Sequence, residues 1–396
     1  MTGLAAFTRA WYAQEFLREL VLIYPVYAIM IGRVGVSPFE LSLLFLVWSA
    51  TGIALEVPTG TLADRLPRRW ILAAGQLLKA SCFLLWWWVP SFAGFLVGFV
   101  AWGAGGSLRS GAAEALLHDK LRELGRPELF VRIYGRSSAA GAVAVVLAMA
   151  LGGWAAETGF ALPLALSAAA PLAAALITLL FIAEPPRGAA AARHEPYLAT
   201  LRAGLREVRD SATLRQPILY LCTAALAYEV GEEYFGPLLD EIGFPLAVIG
   251  LISALTHLAR AAGAFVAERL GATRLGGVSF LYGSAGALLA VGALSRGWLA
   301  MPSLALFVAL SAAAGVLLQG RLQHAIEGHA RATITSVVGL GQGLVSLPLF
   351  LAIGMTATRS GWVVSFLLVA SCLLLCTLIL GVSGRQGRWA GGKRGD

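Results

Sequence analysis

A chain of 396 residues that is 58% hydrophobic and only 13% charged cannot cover a soluble globule with polar groups, because soluble domains carry about 25% charged residues. Its outer surface must face lipid, which excludes a water-soluble enzyme or carrier; the mean hydropathy of +0.77 agrees. The net charge of +8 invites a nucleic-acid partner, but the basic residues sit in short loops between apolar runs, which is a membrane-topology pattern.

A spanning helix needs about 20 mostly apolar residues. In chain order, such runs predict twelve spans at 7–31, 38–63, 71–90, 92–117, 130–154, 160–183, 216–239, 245–268, 275–295, 299–320, 332–356 and 360–383. The first, fourth and seventh contain charges. The first is also too long and too charged for a cleaved leader, so it reads as a span. Loop charge tests the whole set. With both termini in the cytoplasm, the inner loops carry clusters such as Arg65, Arg68 and Arg69, then Lys120, Arg122 and Arg126, then the arginines of 187–215. The outer loops carry only Arg33, Arg296 and Arg359. Removing one span would scramble this bias.

The interruption at 184–215 separates six spans from six. The expected organisation is therefore a bundle at 1–183, a cytoplasmic linker at 184–215, and a second bundle with its tail at 216–396. Residues 197–209 suit either a surface amphipathic helix or a solvated connector. The halves also echo each other: Ala63-Asp64-Arg65-Leu66 aligns with Ala267-Glu268-Arg269-Leu270, each between two apolar spans. Cys82, Cys222, Cys372 and Cys376 all lie in apolar runs, with no flanking His or acid to complete a metal site. They are expected to be buried free thiols.

The segment Gly60-Thr61-Leu62-Ala63-Asp64-Arg65-Leu66-Pro67-Arg68-Arg69 resembles the loop signature of the major facilitator superfamily, and it lies between the second and third spans as in that family. Pro67 stands where the family usually has Gly. The resemblance implies an all-α membrane protein with twelve transmembrane helices in two pseudo-symmetric six-helix bundles. It also implies a latch formed by Gly60, Asp64, Arg65, Arg68 and Arg69, with which Asp119 is grouped. Gly60 and Ala63 are small enough for another helix to approach closely, and Asp64 could accept from a neighbouring helix N-terminus. The stretch Gly106–Asp119, with Arg109, is similar to the fourth span of drug-efflux members. The fifth span lacks their Gly-Pro pair, which counts against export by proton antiport.

Charges in hydrocarbon are costly and should face a cavity or a partner. Glu15 and Arg18, three apart in the first span, can pair; Glu114 can pair with Arg109. The resemblance places the first, fourth, seventh and tenth spans around a central cavity. Candidate proton-coupling residues are Glu15, Glu232, Glu56, Glu114 and His257. Candidate cavity residues are Arg18, Tyr24, Trp102, Arg109, Tyr228 and Glu229. For each, a purely structural pairing is the competing reading. Lys79 is expected to snorkel to headgroups, and Trp86-Trp87-Trp88 to form an interfacial belt.

The sequence contains no Walker motif. The expected function is secondary active transport without a cofactor or bound metal: proton-coupled efflux of small amphipathic or drug-like molecules by alternating access. Uptake of a nutrient or metabolite is the alternative. A non-transporting sensor or a lipid-modifying enzyme is the alternative from another class. The expected setting is the bacterial inner membrane, multi-pass, as a monomer whose partners are a small-molecule substrate, protons and lipid, with no nucleic acid.

Overall fold

The structure, a computed structural model, describes residues 2–184, 205–209, 211–270, 275–295, 297–326 and 331–391. Side chains at 2, 64, 111, 212–213, 224–228, 275–276, 331–333, 335–336 and 380–391 lie outside that description. Most of the 197–209 stretch is also outside it, and 205–209 are helical. Among the described residues the regular elements are all helical.

In chain order they are α1 (Thr2–Glu19), α2 (Tyr27–Arg33), α3 (Pro38–Arg65), α4 (Arg68–Trp88), α5 (Phe92–Glu123), α6 (Phe130–Ala156) and α7 (Ala161–Phe181). There follow α8 (Ala212–Tyr220), α9 (Leu226–Glu232), α10 (Phe235–Ile242), α11 (Leu246–Leu270), α12 (Leu275–Leu294), α13 (Ala300–Ala325) and α14 (Arg331–Gly391). The chain divides into two compact units, Met1–Arg193 with Pro245–Ala254, and His194–Phe244 with Leu255–Asp396.

Nine helices among the described residues are long and apolar enough to cross a membrane. The last of these apolar stretches, Val337–Ile379, runs for 43 residues. At 1.5 Å per residue that is about 65 Å, twice the hydrocarbon thickness. It bends at Gly361, whose φ of 84° suits glycine, and so holds two crossings. The Glu241 carboxylate accepts from the N–H groups of Trp362 and Val363, at 2.7 and 3.2 Å, and caps the second arm.

The first and seventh spans are broken helices. Between α1 and α2 lies Pro25, which has no N–H to continue the ladder. The freed Ile23 N–H donates to Ser167 Oγ of α7 at 2.9 Å, so the break leaves no orphan there. In the second unit, a π-turn at Leu221–Ala225 joins α8 to α9, and a second interruption precedes α10. Pro237 cannot donate to the carbonyl four residues back, at Glu233, which is where the helix opens. With these two broken spans and the bent one, the helices are consistent with twelve crossings.

Within the first unit, α4 packs on α5 and α7, and α1 packs on α6 and α7. Large apolar side chains such as Val131, Trp154 and Leu180 project outward, as a lipid-facing surface requires. The α4 and α5 backbones approach closely at Gly75 and Gly105, where a Cβ on Gly75 would lie 2.7 Å from the Gly105 carbonyl oxygen. Gly60, expected to serve this purpose, has open space where its Cβ would be; Ala63 is buried. Trp86 is buried, with its ring centroid 4.9 Å from that of Phe99, while Trp87 and Trp88 are exposed. Only the latter two face outward, as a belt requires. Cys82 and Cys222 are buried as expected, but Cys372 is exposed and Cys376 only half-buried.

Candidate functional site: a charge network in the first unit

The helical period puts Glu15, Arg18 and Glu19 of α1 on one face. Arg18 bridges the two acids, with Nη2 3.0 Å from Glu15 and Nη1 2.6 Å from Glu19. The expected Glu15–Arg18 pair is therefore present, and Glu19 completes a triad. A second guanidinium comes from α5: Arg109 Nη2 donates to both oxygens of Glu15, at 3.0 and 2.9 Å. Arg109 is thus committed to Glu15. Glu114, the partner expected for it, accepts instead from the Tyr134 hydroxyl of α6 at 2.9 Å.

Lys79 of α4 does not reach the headgroups. Its ammonium is buried and donates to the Arg18 carbonyl at 2.9 Å and the Tyr24 hydroxyl at 2.7 Å, with Glu19 at 3.4 Å. It also lies over the rings of Tyr24 and Trp102, 5.3 and 5.9 Å from their centroids. Those two rings are themselves stacked, 5.7 Å apart. Behind the acids runs a neutral relay: Thr178 of α7 donates to Gln76, Gln76 to Gln14, and Gln14 to Glu15, at 3.2, 2.7 and 3.0 Å. Glu15 is only 4% exposed, and a carboxylate at that depth persists only when ionic and hydrogen-bonded partners satisfy it. Here α1 and α5 supply them directly, and the relay behind Gln14 draws in α4 and α7.

Beside this network lies a cavity of about 290 Å³. Its polar wall is formed by Glu15, Arg18 and Glu19 of α1, Arg109 and Glu114 of α5, and Tyr134 of α6; Trp11, Ser137 and Ser138 also line it. Tyr24 and Trp102 are not among the lining residues, being engaged with Lys79. Glu56 is exposed and accepts from Ser110, tying α3 to α5.

The loop from α3 to α4 is held inside the same unit. Arg68 forms an ion pair with Asp119 at the end of α5, and His118 Nδ1 is 3.4 Å from the same carboxylate. Glu184, just past α7, accepts from the N–H groups of both Arg68 and Arg69 at 2.9 Å. An anion therefore sits on the α4 N-terminus, where the helix dipole favours one. The Arg69 guanidinium lies 5.4 Å from the Trp70 ring, and Arg65 is exposed. The Asp64 side chain lies outside the described residues.

In the second unit, Glu232 is 3.7 Å from His257 Nε2 and 3.9 Å from Arg260 Nη1. Glu229 is exposed, and the Tyr228 side chain is outside the described residues. Among the described residues no group of three or more His, Cys, Asp or Glu could hold a metal ion.

The chain matches the family model of the Major Facilitator Superfamily over residues 19–349. No curated protein matches it. Among solved structures it is similar to a bacterial homologue of the human lysosomal transporter Spinster, in an inward-facing and unoccupied conformation, at 19% identity and TM-score 0.75, covering 97% of this chain and 96% of that one. It is also similar to the nucleoside transporter NupG, at 13% identity and TM-score 0.74, covering 98% and 100%. A D-xylose–proton symporter aligns at 14% identity and TM-score 0.69, covering 95% and 97%. At these identities the structures speak for the fold, and the family match speaks for descent. The chain is a multi-pass membrane transporter, not an enzyme, and it belongs to the Major Facilitator Superfamily.

Proposed function

We propose that the chain is a proton-coupled secondary transporter that carries small amphipathic molecules by alternating access, with the charged cavity of the first unit as the place where cargo and proton meet. The observation that carries this reading is Glu15: a carboxylate 4% exposed, held by guanidinium groups from two helices, at the wall of a 290 Å³ cavity. Ionisable groups at such depth mark ion and substrate pathways. A proton gradient is the proposed source of energy, and the bacterial inner membrane with both termini cytoplasmic is the proposed setting.

Export by exchange requires cargo and proton to compete for one group, and uptake requires them to bind together. Glu15 already accepts from both arginines, and Glu19 faces Arg18 and Lys79. A cationic drug therefore finds no open carboxylate on α1, and the cavity acid left to meet it is Glu114 of α5, held by the neutral Tyr134 hydroxyl. Proteoliposomes loaded with candidate cargo under a pH step of either sign test this directly. Accumulation on the side opposite the acid bath supports uptake, and accumulation on the acid side supports export. Flux indifferent to the pH step removes proton coupling.

A further inference from the structure

The network and its cavity carry an uneven charge distribution. Arg18, Lys79 and Arg109 place three positive charges around two carboxylates, Glu15 and Glu19. The sixth charge, on Glu114, stands apart: it lines the same cavity, and its hydrogen-bond partner is the neutral Tyr134 hydroxyl. With all six ionised the site is neutral overall, with a surplus positive charge on one wall and a lone carboxylate on another. Arg109 is where the surplus is reachable. Its side chain is 32% exposed and Glu15 engages only Nη2, which leaves Nη1 to meet a ligand; Nε has no partner but is itself buried. The indole N–H of Trp11, another lining residue, has none either.

We propose that this cavity binds an organic oxyanion, a carboxylate or phosphate-monoester head, on Arg109 together with one proton on Glu114. The inference rests on the transport reading above and names its cargo class. With Nη2 spent on Glu15, Arg109 presents Nη1 as a charge-assisted donor to an oxyanion. A carboxylate, or a phosphate monoester as its monoanion, entering alone would set a second negative charge beside the exposed Glu114 carboxylate, and like charges repel. A proton from solution on Glu114 restores neutrality and breaks no ion pair. The carboxyl group can still accept from Tyr134 and can donate its new O–H toward the anion. Glu15 and Glu19 cannot take that proton without stranding the cations they hold.

The groups around Glu114 are few. On α5 these are Arg109 and His118, the latter directed at Asp119. From α6 come Tyr134, Ser137 and Ser138, and from α1 come Glu15, Arg18 and Glu19. Glu56 of α3 is held by Ser110, one turn before Glu114, and does not line the cavity. Arg132 and Arg136 of α6 are exposed and outside the lining.

The test is calorimetric binding to the detergent-solubilised full chain, in two buffers of different ionisation heat. The probes are benzoate, phenyl phosphate and the lipid-borne lysophosphatidic acid, with benzyltrimethylammonium as the cationic counterpart. At least one anion should bind, the cation should not, and about one proton should be taken up per benzoate, with more for a phosphate probe bound as its monoanion because its second pKa is about 6, so that benzoate affinity falls about tenfold per pH unit wherever that proton is taken up. The anion that binds identifies the source as a soluble carboxylate, a soluble phosphate or a lipid head. Glu114→Gln should bind benzoate without proton uptake and independently of pH near neutrality, and should lose one proton of the uptake seen with a phosphate probe. Arg109→Gln should weaken binding roughly tenfold or more, and Arg109→Lys should recover part of it, which separates lost charge from misfolding. Preference for the cation, no anion binding, no proton uptake in the native chain, or uptake unchanged in Glu114→Gln would each overturn the inference. Proton-driven flux of a cation without anion binding would overturn it and leave the transport reading standing. Anion binding by a chain that moves none of the probes in vesicles would do the reverse.

Discussion

Arg109 and Glu15, ninety-four positions apart in the chain, meet across the α1–α5 crossing through two hydrogen bonds of 3.0 and 2.9 Å from one guanidinium nitrogen. This contact ties the broken first span to the fourth and forms one wall of the cavity. Its energetics are those of a partly buried pair: removing one partner strands the other, while removing both is tolerated far better.

Glu15→Gln should therefore destabilise the solubilised protein by about 2 kcal/mol, less than a fully buried pair would cost because Arg109 is partly exposed. The double variant Glu15→Gln/Arg109→Gln should regain much of that loss without regaining transport. Thermal denaturation of the four corners of this cycle, alongside flux, measures the coupling. Additive effects on stability would show that the two side chains do not interact.

Lys79 provides an independent check, because snorkelling and burial give opposite outcomes. With its ammonium on Tyr24, Glu19 and the Arg18 carbonyl, Lys79 should resist membrane-impermeant amine reagents in sealed and opened vesicles alike. Lys79→Met should cost about 2 kcal/mol or more, since Glu19 and Arg18 then lose a shared partner. Rapid labelling with full stability in the methionine variant would place the side chain at the surface.

At the α4–α5 crossing, Gly75→Ala should lower the melting temperature, at a cost of roughly 1–3 kcal/mol, because the added methyl meets the Gly105 carbonyl. Gly60→Ala should leave stability unchanged, since open space surrounds its Cβ position. A turnover defect in Gly60→Ala without a stability change would assign that glycine to motion rather than packing.

The α3–α4 loop is anchored by Arg68–Asp119 and by Glu184 on the α4 N-terminus. Glu184→Gln should weaken that anchor by about 1 kcal/mol through lost charge–dipole attraction, and slow turnover with little effect on cargo binding. Asp64→Asn, proposed to disturb the latch, should do the same. Single-turnover flux compared with equilibrium binding separates the two quantities; a binding defect equal to the flux defect would argue against a loop that only gates.

The sequence disclosed what depends on local spacing and bulk hydropathy. The loop-charge bias kept the first and seventh spans in place despite their acids, and both appear as broken helices. Glu15 with Arg18 was legible because residues three apart share a helix face. The Arg109–Glu15 bond was not legible: it depends on which faces of α1 and α5 meet, and the nearer acid, Glu114, offered a plausible decoy. Lys79 misled in a different way. It lies near the middle of the 71–90 run, too deep to reach headgroups easily, and that depth was the signal for an internal partner. Glu184 escaped notice because it follows an apolar run beside two prolines and reads as linker, although a carboxylate there can cap a helix that begins over a hundred residues earlier in the chain. Gly60 was given a packing role by its family motif, whereas the close approach falls at Gly75 and Gly105, which no motif marks.

Reconstitution with a pH-sensitive dye in the lumen bears most directly on the claim that protons and cargo move together through the first-unit cavity. Addition of a transported cargo to the native protein should produce a lumenal pH change that is absent from Glu15→Gln/Arg109→Gln, the variant expected to stay folded. Cargo movement with no pH change in the native protein, or an undiminished pH change in the double variant, would contradict it.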